Sequence, residues 1–252
     1  PLIEACLGQE GRDEDSRILF PEGCEAIICI SIVPASNEEA ISMLKRALPA
    51  ADLVELRIDR IGKPELPMLL SAGKERIVVT NRRSDEGGFF AGNENRRMAL
   101  LHEAVDLGAG LVDIEAKTGT AAVSELAATI RVKGGKTRLI VSHHDMAATP
   151  TVRNLERRLK ACCALGADIV KIVTLARTVE DNLRVLEIIP LAREMGQNIT
   201  AFCMGERGRL SRVAAPLLGA CISYASLEER DKSAPGQMTA AQMRKMMEII
   251  SP

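Results

Sequence analysis

Short apolar runs alternate with amphipathic segments along almost the whole chain. Each apolar run is too short for a buried helix and is followed by eight or more residues with helical apolar spacing. Continuous apolar strands are typical of a parallel sheet that is covered on both faces. The pattern predicts eight strands, four within 26–32, 76–80, 137–142 and 198–203 and four that begin near residues 53, 111, 169 and 222.

A helical pattern follows each of these strands. The predicted helices are 38–48, 64–72, 95–107, 121–132, 152–165, 179–195, 210–217 and 239–250. Eight βα units in 252 residues predict a closed (β/α)8 TIM barrel. An open doubly wound sheet is the alternative, but it would be unusually wide and no Gly-x-Gly-x-x-Gly turn supports it. We expect a single domain over 1–252, with residues 1–24 as an N-terminal extension covering the barrel bottom.

A short motif repeats at a spacing of 58 residues, and its aligned positions are Glu55, Asp113 and Lys171. A fourth copy, 53 residues later, aligns Tyr224 with them. A spacing of two βα units places these residues on strands 2, 4, 6 and 8, which supply one layer of side chains inside such a barrel. Buried charges are costly unless they are paired. Fold stability gives no reason for this layer, whereas a binding site does.

Lys171 lies in the apolar run Asp-Ile-Val-Lys-Ile-Val. An amine held among aliphatic side chains can be activated as a nucleophile near neutral pH. The alternative is a lysine whose stem crosses apolar surface while its amine reaches water. The carboxylates expected at the same depth favour the nucleophile.

Two further motifs follow predicted strands, at the barrel face where active sites lie. His143-His144-Asp145 follows strand 5, where an imidazole can move protons. A metal site is disfavoured because no other His or Cys stands nearby at ligand spacing, and a His-Asp pair that caps a loop stays open. Arg82 closes strand 3, and Glu86-Gly-Gly follows it. Glu86 can orient a histidine while the glycines let the loop approach a ligand, unless this is an ordinary turn.

The segments after strands 7 and 8 carry candidate binding groups. Arg212 suits bidentate capture of a carboxylate at the barrel mouth, although Arg207 and Arg209 compete for the inward position. The run from Ser233 to Gln237, Ser-Ala-Pro-Gly-Gln, has the small and breaker residues of a mobile lid. A plain loop is the alternative.

Charged residues alternate along strand 2. Glu55, Arg57 and Asp59 occupy every second position, so we expect all three to point into the barrel. They can contact a substrate, or they can satisfy one another as a purely structural ion network. Both interpretations stay open.

Composition excludes several classes of function. With 33 basic and 34 acidic residues the net charge is −1, which lacks the basic excess of a nucleic-acid-binding chain. Aromatic residues make up only 2%, too few for base-stacking platforms. No apolar stretch approaches the ~20 residues of a membrane helix, so no membrane partner is expected. Seven cysteines without a Cys-x-x-Cys spacing favour a reducing cytoplasm.

Taken together, the motifs resemble type I 3-dehydroquinate dehydratase over 26–250. The resemblance implies a (β/α)8 barrel, usually a homodimer, that dehydrates 3-dehydroquinate to 3-dehydroshikimate in the shikimate pathway. This hydro-lyase step of aromatic amino-acid biosynthesis needs no metal or organic cofactor. The motifs occur in the family's order: Glu55-Leu-Arg57-Ile-Asp59, Thr80-Asn-Arg82, Glu86-Gly-Gly, Ser142-His-His144-Asp145, Lys171, Ser211-Arg212 and Ser233-Ala-Pro-Gly-Gln237.

The resemblance also implies a role for each residue. Lys171 would form a Schiff base with the substrate ketone, His144 would move protons, and Glu86 would orient His144. Arg212 would hold the substrate carboxylate. A protonated imine accepts electrons better than a ketone does, which suits removal of a proton next to it. The remaining substrate-binding candidates are Glu55, Arg57, Arg82, Ser233, Gln237, Tyr224 and Asp113.

Three residues depart from the family pattern. Asn81 stands where an apolar or aromatic residue is usual, His143 where Asn is frequent, and Tyr224 where Phe is expected. We expect Asn81 to pair locally and Tyr224 to offer its hydroxyl to the substrate. Two other functions stay open: a Schiff-base barrel such as a class I aldolase, which would need a phosphate cradle after strands 7 and 8, and a non-catalytic barrel that binds a metabolite or partner.

Overall fold

The computed structural model describes residues 27–250. Within this range, eight parallel strands alternate with eight α-helices in a nearly closed barrel, which confirms the predicted (β/α)8 fold. The expected extension, 1–24, lies outside the described residues. The strands are β1 (Ile27–Ile32), β2 (Leu53–Arg57), β3 (Ile77–Thr80), β4 (Leu111–Glu115), β5 (Arg138–Asp145), β6 (Ile169–Leu175), β7 (Asn198–Met204) and β8 (Ile222–Ala225).

The helices lie close to their predicted bounds, apart from the second. That helix has five residues, and a 3-10 turn at Lys74–Arg76 follows it before β3 begins. The helices are α1 (Asn37–Ala47), α2 (Leu66–Leu70), α3 (Glu94–Asp106), α4 (Thr120–Val132), α5 (Val152–Ala164), α6 (Glu180–Glu194), α7 (Arg209–Leu217) and α8 (Ala240–Ile250).

Local signals in the sequence explain several helix ends. The Asn93 side chain accepts a hydrogen bond from the Arg96 amide at 2.8 Å and so caps the start of α3. The repeated turn contains a glycine in each later copy, and Gly108, Gly166 and Gly219 all have positive φ values of 78°, 83° and 98°. Glycine adopts this conformation without steric cost and commonly ends a helix. The repeat is therefore a helix stop followed by a strand.

The sheet order is β7-β6-β5-β4-β3-β2-β1-β8, with parallel register throughout. The remaining gap between β7 and β8 is bridged by hydrogen bonds. The Cys221 amide donates to the Ile199 carbonyl at 2.9 Å, and the Thr200 hydroxyl accepts from the Ile222 amide at 3.2 Å. These contacts bring the ends of the sheet together.

The barrel interior changes from apolar to polar toward the carboxyl ends of the strands. Alternate residues of a strand share one face, and two residues before each repeated position lies a buried aliphatic side chain: Leu53, Leu111, Ile169 and Ile222. The main apolar core lies between the outer face of the sheet and the helices. Within residues 27–250, none of the helices is long and apolar enough to cross a membrane.

Candidate active site

The four repeated positions meet in one layer, as the 58-residue spacing predicted. The Lys171 Nζ atom lies 2.9 Å from Glu55 Oε1 and 3.1 Å from Asp113 Oδ2. The same nitrogen lies 3.8 Å from the centroid of the Tyr224 ring. The amine thus contacts the two carboxylates and the aromatic residue that the repeat placed at its depth, and not the aliphatic side chains expected from its neighbours along the strand. All four side chains are buried.

Both carboxylates of this layer are held by hydrogen bonds. Glu55 accepts from the hydroxyls of Ser31 at 2.6 Å and Thr80 at 3.1 Å. Burial acts to raise the pKa of Glu55, but nearby cations, above all Lys171, outweigh it and lower that pKa. The pKa of Asp113 also lies well below its usual range, because Arg82 and Lys171 overcome the effect of burial. Both groups are therefore anionic at neutral pH.

Arg82 lies at the end of β3 and is almost fully buried. Its Nη2 donates to Asp113 at 2.8 Å, and its Nη1 donates to Ser142 at 2.7 Å and Glu115 at 2.9 Å. Burial acts to lower its pKa, but the carboxylates of Asp113 and Glu115 raise that pKa well above the usual value. Arg82 is a fixed cation beside Lys171.

His144 and Glu86 form a pair on the neighbouring wall. His144 Nδ1 lies 3.0 Å from Glu86 Oε2, and the His144 amide donates to the same oxygen at 2.9 Å. Burial, together with Arg82 and Lys171, holds the pKa of His144 well below its usual value, so the imidazole is neutral. Burial raises the pKa of Glu86 to about 7, and repulsion by Glu115 adds to this effect.

Strand β5 is longer than predicted and includes the motif that was expected to follow it. Because residues alternate along a strand, His144 points into the barrel and His143 points outward. The pKa of His143 is lowered to about 4, mainly because the side chain is largely buried. Among the described residues, neither His143 Nε2 nor the side-chain atoms of Asn81 have a hydrogen-bond partner. The expectation that Asn81 pairs locally was therefore wrong.

Arg212 on α7 is the inward arginine of its segment. Its guanidinium lies 4.4 Å from the centroid of the Phe202 ring, and it is almost fully buried, whereas Arg209 pairs with Glu206 at the surface. In the described part of the chain, Arg212 Nε and Nη2 have no hydrogen-bond partner. Burial lowers its pKa to about 10. A buried and unsatisfied cation is suited to receive an anionic ligand.

The charged residues that alternate along and just after β2, Glu55, Arg57 and Asp59, make two kinds of contact. Arg57 makes two hydrogen bonds with Asp59, at 2.7 and 2.8 Å, while Glu55 contacts Lys171 instead. Asp59 lies beyond the end of the strand and also accepts from the Phe89 amide. An ion pair between two of these residues and a contact from Glu55 to Lys171 therefore exist side by side.

The glycines after Glu86 serve the loop itself. Gly87 has a φ of 81°, and a Cβ atom at Gly88 would lie 2.1 Å from the Arg82 carbonyl oxygen. Gly88 is needed because the loop passes directly over the Arg82 carbonyl, and Gly87 lies in the lining of the cavity at the barrel mouth.

The segment after β8 closes over the barrel mouth. The Ser233 hydroxyl and amide both donate to Gln237 Oε1, at 3.1 and 2.8 Å. The Pro235 carbonyl accepts from the Gly205 amide at 3.0 Å. Gly236 has a φ of 76°, and a Cβ atom there would lie 2.1 Å from the Gly205 carbonyl oxygen. This tight contact fixes the segment against the turn that follows β7.

One cavity at the carboxyl ends of the strands gathers the predicted site residues. All of them line it except Asp113, which is buried and contacts Lys171 and Arg82. Several lining residues were not predicted: Ser31, Met146, Val173, Phe202, Met204, Ala234 and Pro235. Ser31 pairs in register with Glu55, so counting alternate residues along β1 would have found it. Among residues 27–250, no group of three or more His, Cys, Asp or Glu is arranged to hold a metal ion.

Comparisons with known proteins match this architecture. The family model described as type I 3-dehydroquinase matches residues 28–252. The 3-dehydroquinate dehydratase of Syntrophobacter fumaroxidans is 38% identical, over 89% of this chain and 97% of the relative. That of Desulfotalea psychrophila is 35% identical, over 86% and 95%. The solved 3-dehydroquinate dehydratase from Geobacillus kaustophilus superposes with a TM-score of 0.81 at 25% identity, over 91% of this chain and 94% of that one.

Proposed function

The chain belongs to the type I 3-dehydroquinase family, and from this premise we propose that it dehydrates 3-dehydroquinate to 3-dehydroshikimate through a Schiff base on Lys171. The observation that carries the proposal is the position of the Lys171 amine. It lies between two buried carboxylates on a wall of the same cavity that holds the His144–Glu86 pair. The activity is a step of the shikimate pathway and of aromatic amino-acid biosynthesis.

The two carboxylates suit an imine as well as an amine. Lys171 loses one proton before its amine attacks the ketone. That proton returns to the carbinolamine hydroxyl, which leaves as water when the cationic imine forms. That imine nitrogen carries the positive charge that the ammonium carried before, so Glu55 and Asp113 stay paired with a cation. Imine formation therefore leaves both buried carboxylates paired with a cation, and the imine accepts the electrons released when the adjacent C–H bond breaks.

His144 is the group that moves protons in this proposal. Its low pKa leaves the imidazole neutral and able to accept the proton next to the imine. Nδ1 is engaged by Glu86, so Nε2 exchanges the proton with the substrate. The Glu86 carboxylate stabilises the imidazolium that forms, and the same proton then leaves with the β-hydroxyl as water.

The remaining cavity residues bind the substrate in our proposal. Arg212 holds the carboxylate, because its buried guanidinium has donors without a partner in the described chain. The hydroxyls of the substrate are bound by polar groups around the cavity wall, with Asp113 supporting Lys171 from below. The Tyr224 hydroxyl is buried without a described partner and adds one contact. The residues assigned to the hydroxyls are Glu55, Arg57, Arg82, Tyr224, Ser233 and Gln237.

The adjacent histidines provide a matched test of this mechanism. Conversion of 3-dehydroquinate is followed by the growth of ultraviolet absorbance from the enone product. We expect His144→Gln to lower kcat by about 10²–10⁴-fold, the usual contribution of general acid–base catalysis. We expect His143→Gln to stay within about threefold of the wild type, because that side chain points away from the cavity. Equal losses in both variants, or no turnover by the folded wild type, would contradict the proposal.

We further infer, from the family alone, that the chain acts as a cytoplasmic homodimer, as a single domain over 1–252 and without a cofactor. Light scattering coupled to size-exclusion chromatography tests the dimer, since a mass near 27.2 kDa would mean a monomer. Full turnover after dialysis against a chelator is expected if no metal takes part.

A further inference from the structure

Glu115 is a buried carboxylate that the proposed mechanism leaves without a role. It is the last residue of β4, two positions beyond Asp113, and it is fully buried. In the described chain it does not line the cavity. Oε1 accepts from Arg82 Nη1 at 2.9 Å and from the Arg83 amide at 3.0 Å, while Oε2 accepts from Arg97 Nη1 at 2.7 Å. Both oxygens are therefore held.

Arg97 clamps this carboxylate from outside the barrel. It reaches inward from α3 and is fully buried. Besides Glu115, it donates to the Asn81 carbonyl at 3.0 Å, to Thr118 Oγ1 at 2.5 Å and to Glu94 Oε1 at 2.7 Å. A buried Arg–Glu pair is often no more stable than a well-packed apolar pair of similar volume. Stability is therefore a weak reason for this arrangement.

The inner partner of Glu115 is Arg82, which lines the cavity. Arg82 divides its donors between Glu115 and Ser142 on one nitrogen and Asp113 on the other. Glu55 Oε1 lies 3.9 Å away, at the limit of an ion pair. Without the acceptor oxygen of Glu115 at this reach, the remaining carboxylates would draw the guanidinium toward Lys171. Glu115 thus determines where Arg82 lies.

Glu115 also lies beside the turn that carries Glu86, because its Oε1 accepts from the Arg83 amide at 3.0 Å and the Arg83 carbonyl accepts from the Glu86 amide at 3.1 Å. Its charge therefore acts on the His144–Glu86 pair. It is the largest of the charges that raise the pKa of Glu86, after burial itself. Arg82 and the His144 amide act in the opposite direction. The groups that face Glu86 from the neighbouring elements are Asp113 and Glu115 on β4, Arg82 after β3, His144 on β5 and Cys162 on α5.

We propose that Glu115, clamped by Arg97, is a positioning residue that fixes Arg82 at the cavity wall and sets the charge facing the His144–Glu86 pair. The inference rests on the proposed function, which assigns Arg82 and the pair to the reaction. Glu115 then has two separable effects. The length of its side chain controls the position of Arg82, and its charge controls the ionisation of Glu86.

Three substitutions separate these effects. Glu115→Gln keeps the length and removes the charge, Glu115→Asp keeps the charge and shortens the reach, and Glu94→Gln is the matched control. Glu94 binds the same Arg97 but is 40% exposed and does not contact Arg82. The measurement is kcat/KM for 3-dehydroquinate from pH 5 to 9, with circular dichroism to verify folding.

We expect Glu115→Gln to move the acid limb of the profile down by about one pH unit, because a like charge near Glu86 is gone. Glu115→Asp should keep the limb in place and lose about 10–100-fold in kcat/KM, as misplacement of a binding group does. Glu94→Gln should match the wild type in both. An unmoved limb in Glu115→Gln, or wild-type kcat/KM in Glu115→Asp, would overturn the inference. If Glu115→Gln fails to fold, Glu115→Asp decides alone.

A measurement of unfolding, which needs no turnover, tests this inference separately from the proposed function. The ionisation of Glu86 also affects the pH dependence of unfolding, measured as the difference between Glu86→Gln and the parent chain. In a Glu115→Gln background, we expect the pH range of that difference to move down by about one unit. An unchanged range overturns the inference even if the wild type fails to convert 3-dehydroquinate, a failure that would refute the function itself.

Discussion

Glu86→Gln should stabilise the protein at pH 8 more than at pH 5. Burial and Glu115 raise the pKa of Glu86 from 4.5 to about 7 in the folded chain. In the unfolded chain the carboxyl ionises near its usual value. Between these two pKa values the unfolded state releases the proton first, so the free energy of unfolding falls as the pH rises toward 7 and stays constant above it.

The magnitude follows from the shift. About 2.5 pKa units at about 1.36 kcal/mol each give a cost of about 3 kcal/mol for the ionised carboxylate in the folded state. About 2.5 kcal/mol of that develops between pH 5 and pH 8, because part of the unfolded population is already ionised at pH 5. Glutamine carries no charge and escapes this cost. The groups that face Glu86 are present in both proteins, so comparing the variant with the wild type removes their own contributions.

Urea unfolding at pH 5 and pH 8 measures this difference. The free energy of unfolding of Glu86→Gln minus that of the wild type should rise by about 2.5 kcal/mol from pH 5 to pH 8. Asp85→Asn is the control in the adjacent position, because hydrogen bonds from Arg83 and Lys117 hold the pKa of Asp85 at about 2. Its difference from the wild type should be flat over the same range. A flat difference for Glu86→Gln as well would mean that burial and Glu115 do not raise the pKa of Glu86.

Three further predictions concern the cavity. Lys171→Met should fold but lose about 3 kcal/mol of stability at pH 8, and less at pH 5, where Glu55 can take a proton; urea unfolding at both pH values checks this. Arg212→Met should raise the free energy of unfolding by about 1–3 kcal/mol, because it removes a buried cation whose pKa is already lowered. The same substitution should raise KM for 3-dehydroquinate at least about 100-fold. A stability equal to or below that of the wild type would contradict the prediction. Gly236→Ala should raise KM about tenfold with a smaller effect on kcat, because its Cβ atom would collide with the Gly205 carbonyl and displace the closing segment; an unchanged KM would mean that this contact does not matter.

The barrel was predictable from the sequence because its determinants are local. Apolar runs and helical spacing gave the strands and helices in order, and a repeat of 58 residues placed Glu55, Asp113 and Lys171 at one depth. The glycines of that repeat end helices, so each later copy of the motif marks both a helix end and a strand start. The five-residue helix α2 is shorter than its predicted range of 64–72, and a 3-10 turn at Lys74–Arg76 follows that range.

The charge network was less predictable because it depends on side-chain direction across strands. Lys171 was expected among aliphatic side chains, since its sequence neighbours are aliphatic, but those neighbours alternate to the outer face of the sheet. Its actual partners come from β2 and β4. Arg97 lies 18 positions from Glu115 on a helix, and no sequence spacing links a helix residue to one strand end. The Asn81 side chain was expected to pair locally, but it has no hydrogen-bond partner among the described residues, because it points away from the polar interior.

The measurement that most directly tests the account is mass spectrometry of the protein after incubation with 3-dehydroquinate and borohydride. Borohydride reduces an imine to a stable secondary amine, so we expect one covalent adduct per chain, which maps by peptide analysis to Lys171 and is absent from Lys171→Met. An adduct on a different lysine, or none from a folded sample that converts the substrate, would contradict the Schiff base at the centre of the barrel.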